Sequence, residues 1–443
     1  MLGGEAPARD GKGGATHAGP SRKLSRFQAT ASIAITFVML ALFHTTLIFG
    51  VIIAFLIWFP KVFYKTGFSL RPSRGMVLSF VLPAFALLSV LWSDYPLSSL
   101  KSAAEFTSMV VCAVVVGRVV AAPDFIRGLA VGGALTSLIG SLSADLLGLA
   151  PYAWADLGGS HNQFGICAEI GMLFSMVHWL QLKRQPFESI ITLGAVLVCA
   201  LALFLSHSAG ALVSMLGTLF MVGVVLLIRM FPMPPRTRGV LVVATIVVLI
   251  GAVGVLFASL GQDALKLVGK DSTLTGRTYF WSEGLKVGAD QPVLGVGYSA
   301  FWVPGRPRAE KYWYQAGIYN KTGFHFHNGY IETFVELGGV GVIIILYYIF
   351  HCFFKSLFGY LRFEVDYGLL ACLGMTTMFI IRGMVEVDFL GTFSLAVFLF
   401  FMLPCRIEEC YRLGQAVSGE RSAKRRRRPG KWLANSQALS SSQ

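Results

Sequence analysis

The sequence predicts an all-α polytopic membrane protein with about twelve transmembrane helices and one long outer loop between helices nine and ten. Three observations carry that prediction. Apolar residues make up 55% of the 443 residues and charged residues only 14%, against roughly 25% charged in a soluble chain. The apolar residues come in blocks long enough to cross a bilayer, about 20 residues each. Basic residues crowd every second connection and leave the short connections between them almost bare, as positive-inside sorting requires. A soluble enzyme, a soluble nucleic-acid-binding domain and a disulfide-stapled secreted fold are excluded, because the polar surface to cover a body of this size is missing.

Along the chain, residues 1–26 form a tail with five basic and two acidic residues. Spans follow with approximate cores at 27–43, 46–62, 75–92, 104–121, 128–149, 164–181, 188–205, 209–229, 239–260, 329–351, 367–384 and 387–404, so that residues 27–404 form the membrane domain. The first block has no small-residue cleavage site behind it and reads as a retained anchor. With the N-terminus inside, 27 of the 37 basic residues fall on one side. Both tails are then cytoplasmic. Residues 405–443 add nine basic and three acidic residues in a tail expected to be disordered. Its run Lys424-Arg425-Arg426-Arg427-Arg428 has a charge that suits nucleic acid. Beside a membrane the expected partner is instead anionic lipid, at about 1 kcal/mol per basic residue. All seven cysteines fall in spans or in the cytoplasmic tail, so no outer disulfide framework is indicated. No internal repeat is visible, which counts against an inverted-repeat transporter.

Residues 261–327 break the hydrophobic run. Long non-repetitive loops in compact proteins tend to be functional. This one carries eight basic and five acidic residues, with Tyr279, Phe280, Trp281, Tyr298, Phe301, Trp302, Tyr312, Trp313, Tyr314 and Tyr319. Such rings suit sugar faces and equally suit an aromatic belt at the headgroups. The loop should be partly helical around Tyr279–Gly288. It ends in Phe324-His325-Phe326-His327-Asn328-Gly329-Tyr330 and enters a span holding Glu332 and Glu336, four residues apart on one helix face. Glu169, Arg382 and Glu386 also lie in the outer half of the membrane, and embedded ionisable groups mark function by default. His325 and His327 make a weak metal pair, with no third ligand beside them in sequence, so no metal is expected. Glu386-Val387-Asp388 reads as a polar turn at a helix end. Gly295-Val296-Gly297 lacks the third glycine and the strand–helix setting of a dinucleotide fingerprint, and no cofactor is expected.

Taken together, Thr275-Gly276-Arg277-Thr278, Trp281 and Gln291-Pro292-Val293-Leu294-Gly295-Val296-Gly297-Tyr298-Ser299-Ala300-Phe301-Trp302 resemble the loop of the O-antigen ligase and polymerase superfamily. His327-Asn328-Gly329-Tyr330 with Glu336-Leu337-Gly338-Gly339-Val340-Gly341 resembles the start of that family's next span. Leu91-Trp92-Ser93 before Pro96, and Ser160-His161-Asn162-Gln163-Phe164-Gly165, resemble further landmarks. The likeness covers roughly residues 75–402 and is greatest to the exopolysaccharide-production polymerases of the ExoQ type. It implies a multi-pass protein of the bacterial inner membrane with a large periplasmic loop at 261–327. The implied activity is metal-independent transfer of an oligosaccharide from undecaprenyl diphosphate to a glycan acceptor. A polymerase extends lipid-linked repeats into exopolysaccharide, whereas a ligase delivers the glycan to lipid A core or another acceptor. A polysaccharide flippase and a chain-length regulator are the partners expected with it.

The residues fit that chemistry. A sugar hydroxyl needs its proton removed as it attacks, and His327 is the candidate general base. The leaving lipid diphosphate gathers negative charge, and the planar fork of Arg277 is the candidate to stabilise it. Glu336, Arg382 and Glu386 are candidates to orient His327 or to bind acceptor hydroxyls, and His325 and Asn328 flank the base. His161 and Asn162 either line the same cavity or cap a helix. Each has a plain alternative: His327 as a packing residue, Arg277 as a headgroup contact, Glu336 as a hydrogen-bond partner within the bundle, Arg382 as an ion-pair partner of Glu386. One departure from the family stands out. After Ser206-His207-Ser208 comes Ala209, where relatives often carry a cation, so a second phosphate contact would fall to His207, Arg306 or Arg308. A secondary transporter and a non-catalytic assembly scaffold are the readings from other classes.

Overall fold

The structure, a computed structural model, describes residues 25–42, 55–61, 72–146, 160–182, 185–260, 273–321, 323–363 and 366–426. All regular structure among the described residues is helical. The helices are α1 (Arg26–Leu42), α2 (Arg74–Leu88), α3 (Pro96–Val119), α4 (Ala122–Leu146), α5 (His161–Gln181), α6 (Pro186–Leu205), α7 (Ala209–Met230), α8 (Pro235–Leu260), α9 (Thr273–Asp290), α10 (Pro307–Gln315), α11 (Gly329–Arg362), α12 (Tyr367–Arg382) and α13 (Leu395–Arg426). Among the described residues, seven are long and apolar enough to cross a membrane, accompanied by shorter apolar helices at Arg26–Ala41 and Tyr367–Arg382. The expected span at 46–62 lies largely outside the described residues.

The boundaries follow from local chemistry. Proline at the first helical position opens α3 and α6, where its missing N–H costs nothing. Ser73, Ser208 and Asp366 cap α2, α7 and α12 with side-chain oxygens, and Ser160 with Gln163 forms a capping box on α5. The helices then pack through small residues, as they must where lipid is as apolar as leucine. α4 lies between α1 and α5. A Cβ on its Gly133 would stand only 2.2 Å from the Gly171 Cα of α5. In the other half α13 packs on α2 and α3, while α12 joins α5, α7 and α11. The perimeter stays apolar: Phe187, Ile190 and Phe204 of α6 are each at least 70% exposed, a surface that belongs against lipid, not water.

Two expectations are corrected: residues 405–426, expected within a disordered tail, are the end of α13, and one expected span is not continuous helix. Residues 387–404 do not form a single crossing, because helix begins only at Leu395 and residues 383–394 are a loop folded into the bundle. Val387, Phe389 and Leu390 make that loop apolar enough to read as membrane, and Phe389 and Leu390 are buried within the protein.

Residues 273–328 form a lid over one end of the bundle, with helical α9 covering the stretch anticipated around Tyr279–Gly288. The lid has its own core of Val287, Val296, Ala300, Phe301, Tyr312 and Phe326 against Val335 of α11. Most of its aromatic rings therefore serve packing. Tyr314 and Tyr319 remain largely exposed, at 77% and 81%.

The lid is seated by a kink. Gly338 interrupts α11 with φ 63°, which glycine alone adopts without strain. The carbonyls freed there accept from the lid: Val296 N–H donates to Val335 O at 3.0 Å and Gly297 N–H to Glu336 O at 2.9 Å. In return Gly339 N–H donates to Pro292 O at 2.8 Å. Trp92 Nε1 donates to Leu294 O at 3.1 Å and Ser99 Oγ to Tyr298 O at 2.7 Å. Three stretches singled out in the sequence, 91–96, 291–302 and 336–341, thus meet at one junction. At the opposite end of the bundle buried Arg406 donates to the carbonyls of Gly117 and Val120 that close α3, and Arg229 does the same for Tyr360 and Phe363 at the end of α11.

Candidate functional site

The site gathers where the lid returns to the bundle. Asn328 caps α11, its side-chain oxygen accepting from the N–H groups of Tyr330 and Ile331 at 3.0 and 3.1 Å, while its amide donates to Met384 O at 3.0 Å. The structure thus uses both ends of Asn328 for local architecture. Gly329 N–H points at the carbonyls of Gly383 and Glu386, 2.8 and 3.0 Å away, which docks the 383–394 loop on the start of α11. Just before the cap, His327 sits in the left-handed region at φ 50°. It is held there on both sides: its N–H donates to His325 Nδ1 at 3.0 Å, and its carbonyl accepts from Trp281 Nε1 at 3.3 Å. Buried Glu332 pins the approach, accepting from Trp302 Nε1 and from Phe326 N–H, both at 2.8 Å. Its neighbour Glu336 is buried too and takes the backbone N–H of Ser299, which places it in the lid junction.

Glu386 is the point of convergence. Its Oε1 accepts from Asn162 Nδ2 at 2.5 Å and from Arg277 Nη2 at 3.1 Å, and His327 Nδ1 lies 3.8 Å from the same oxygen. That Nδ1 is buried and has no hydrogen-bond partner. Asn162 is fixed in turn by Ser208 Oγ, which donates to its Oδ1 at 2.7 Å. The capping role open to His161 and Asn162 belongs to Ser160 instead. His161 Nδ1 lies 3.0 Å from Ser206 O and its ring 6.4 Å from that of His207.

Arg382 departs from expectation. It makes no hydrogen bond to Glu386. It is fully buried and binds Asp388 twice, through Nε at 2.6 Å and Nη2 at 3.2 Å, and Glu169 through Nη1 at 2.9 Å. Ser214 Oγ also donates to Glu169. The turn at Glu386-Val387-Asp388 therefore carries two separately engaged carboxylates, one facing His327 and Arg277, the other Arg382. The sequence reads Asp388 only as part of a polar turn, and its place six residues after Arg382 is the available signal for the ion pair they make. Arg306 and Arg308, the candidates for a second phosphate contact, are paired with Asp94 and Asp290.

Burial pushes the His325 imidazole down to about 4, aided by the nearby His327 and Arg277 and opposed by Glu386. Burial also acts to raise the Glu386 carboxyl, but the His327 contact and the charges of His325, His327 and Arg382 outweigh it and hold the group below its usual value. A consequence is measurable. The folded chain keeps His325 neutral down to about pH 4, while the unfolded chain protonates it near its ordinary value of about 6.5. Stability is present above that value and falls as pH drops from there towards 4. Asn at 325 keeps an acceptor but does not titrate, so thermal melts of His325→Asn should show a smaller loss over this window than the parent.

The fold also supplies what the sequence lacked for a metal: ligand atoms of His325, His327 and Glu386 lie within 4.8 Å of one another. The Arg277 guanidinium lies 3.1 Å from one oxygen of Glu386, and a cation beside that carboxylate opposes a divalent one. The donor set fits proton transfer better: an imidazole, a carboxylate behind it and a guanidinium beside it.

Two comparisons with known proteins bear on this arrangement. Residues 194–346 match the family model described as O-antigen ligase. That stretch holds Arg277, His325, His327, Asn328 and Glu336, while Asn162, Arg382 and Glu386 lie outside it. Over 351 residues the chain is 31% identical to the exopolysaccharide production protein ExoQ of Rhizobium meliloti, covering 78% of this chain and 80% of that protein.

Proposed function

This chain belongs to the O-antigen ligase superfamily and is of the ExoQ type within it, and on that premise we propose that it polymerises undecaprenyl-diphosphate-linked oligosaccharide repeats into exopolysaccharide. The observation that carries the reading is the convergence of Asn162, Arg277 and His327 on one oxygen of Glu386.

In this mechanism His327 takes the proton of an acceptor hydroxyl through Nε2 while the hydroxyl oxygen attacks the anomeric carbon of the donor. The bond from that carbon to the diphosphate oxygen breaks, and its electron pair leaves with the lipid diphosphate. Arg277, about a quarter exposed, swings its free nitrogens to the charge that grows on the leaving group. The carboxylate of Glu386, 3.8 Å from Nδ1, offsets the positive charge the ring gains, as a carboxylate behind a catalytic histidine does. A single displacement inverts the anomeric centre. The lid then faces the periplasm from an inner-membrane protein with both termini in the cytoplasm. The basic tails rest on anionic lipid, and a flippase and chain-length regulator serve as partners.

Complementation of a deletion strain tests this. Cells carrying Arg277→Ala, at normal membrane level, should accumulate single lipid-linked repeats in place of long polymer on sizing gels. Long chains that stay on the carrier lipid would transfer the protein to the ligase class, delivering glycan to lipid A core or another acceptor. Normal free polymer would return the transporter or scaffold readings.

A further inference from the structure

The turn between α6 and α7, Ser206-His207-Ser208, has no part in the chemistry above, yet it is firmly built. His207 stands in the left-handed region at φ 50°, a conformation that persists only where its surroundings hold it. Ser206 Oγ donates to Leu203 O at 2.7 Å and accepts from Ser208 N–H at 3.2 Å. The turn is also tied to α5. His161 Nδ1 lies 3.0 Å from Ser206 O, and Ser208 Oγ donates to Asn162 Oδ1 at 2.7 Å. Close helix packing makes that reach possible. Gly165 of α5 faces α7, and a Cβ on it would stand 2.7 Å from Ala211 Cβ and 3.2 Å from Ser208 Cβ. Asn162 lies three residues before Gly165, on the same helix face.

The Ser208 hydroxyl decides which way the Asn162 amide points. Its oxygen accepts from Ala211 N–H at 3.3 Å as the cap of α7, and its one proton goes to Asn162 Oδ1. The amide nitrogen, a donor only, is thereby turned to Glu386 Oε1 at 2.5 Å. Flipped, the amide would set its oxygen against the carboxylate oxygen, two acceptors with no proton between them. Glu386 itself sits in the 383–394 loop and not on a helix. Arg277, which shares its Oε1, is about a quarter exposed and turns to the diphosphate in the mechanism above. Asn162 is then the bond that keeps the carboxylate beside His327, whose Nδ1 lies 3.8 Å away. A charge placed in advance acts according to where it stands, and a misplacement of about 1 Å costs about 10²-fold in rate.

Resting on the glycan-transfer reading, we propose that Asn162 is a positioning residue of the reaction and not a substrate ligand, and that Ser208 acts through it by fixing which end of the amide faces Glu386. The α6–α7 turn then serves the site from behind: it aims Asn162, Asn162 holds Glu386, and Glu386 places its charge beside the base.

The test is steady-state transfer of undecaprenyl-diphosphate-linked repeat units by the full-length protein in nanodiscs. Asn162→Ala should lower kcat by about 10²-fold, the scale of a misplaced catalytic group, and leave KM close to that of the parent. Ser208→Gly removes the hydroxyl but costs the α7 cap only a few tenths of a kcal/mol, so its loss, also in kcat, reports the aim of the amide. Ser208→Thr keeps the hydroxyl and should regain most of that loss. The double variant Asn162→Ala with Ser208→Gly should be no slower than Asn162→Ala alone, because residues acting through one another are not additive. A raised KM at unchanged kcat in Asn162→Ala would make Asn162 a substrate ligand and overturn the proposal. Multiplying losses in the double variant would overturn the link from Ser208 to Asn162, and parent rates in both single variants would overturn the whole. These outcomes all require a parent that transfers glycan. A parent that transfers none fails the glycan-transfer reading itself and takes the proposal with it, a result distinct from active variants beside an active parent.

Discussion

The His327→Ala protein is expected to reach the membrane in normal amount and to transfer glycan about 10²–10⁴-fold more slowly, the range a positioned general base contributes. His327 is partly exposed, at 27%, and the contacts that shape its segment are made by its backbone and by Glu332, Trp281 and Trp302. Removing the ring therefore leaves the lid seated. The left-handed backbone at 327 strains an alanine, so His327→Asn is the companion variant, since asparagine tolerates that region. Both should lose activity alike, and added imidazole should restore part of it to the alanine form by occupying the vacated space. Measured transfer from a lipid-linked donor within tenfold of the parent for both variants would sink the base assignment.

The second large effect is on stability. Arg382→Met leaves Glu169 and Asp388 buried without their cation, and breaking a buried ion pair by removing one partner costs about 3–5 kcal/mol. The variant should be nearly absent from membranes. Replacing all three groups, as Arg382→Met with Glu169→Gln and Asp388→Asn, removes the uncompensated charge and should recover much of the lost protein. Immunoblots of membrane fractions read both results. Arg277→Ala, on the exposed side of the same site, should match the parent in such blots. If the single and triple variants fall to the same level, the network is not held by charge compensation.

Much of the protein was legible beforehand because the membrane imposes a coarse, periodic code. A helix that must bury every backbone polar group in lipid needs an unbroken apolar stretch, and such stretches can be counted. The same logic failed at 383–394, where Phe389 and Leu390 are apolar to pack against protein, not lipid. Hydropathy does not distinguish those two environments. The candidate base and its cation were legible through short residue patterns, as were the three stretches that meet at the Gly338 kink. That they meet there was not, since the partners are separated by up to about 250 positions.

By itself, then, the sequence determined that this is an all-helical membrane protein and which family it belongs to, and it marked His327 and Arg277 as the candidates for its chemistry. Only the tertiary structure decided which carboxylate serves which partner. Glu386 faces Arg277 and His327, Asp388 and Glu169 hold Arg382, and the cap of α5 falls to Ser160, leaving Asn162 free to reach Glu386. Side chains two residues apart in a turn diverge by the local backbone path, and a fully buried guanidinium takes whichever carboxylates packing brings within 3 Å. Neither is encoded by spacing along the chain.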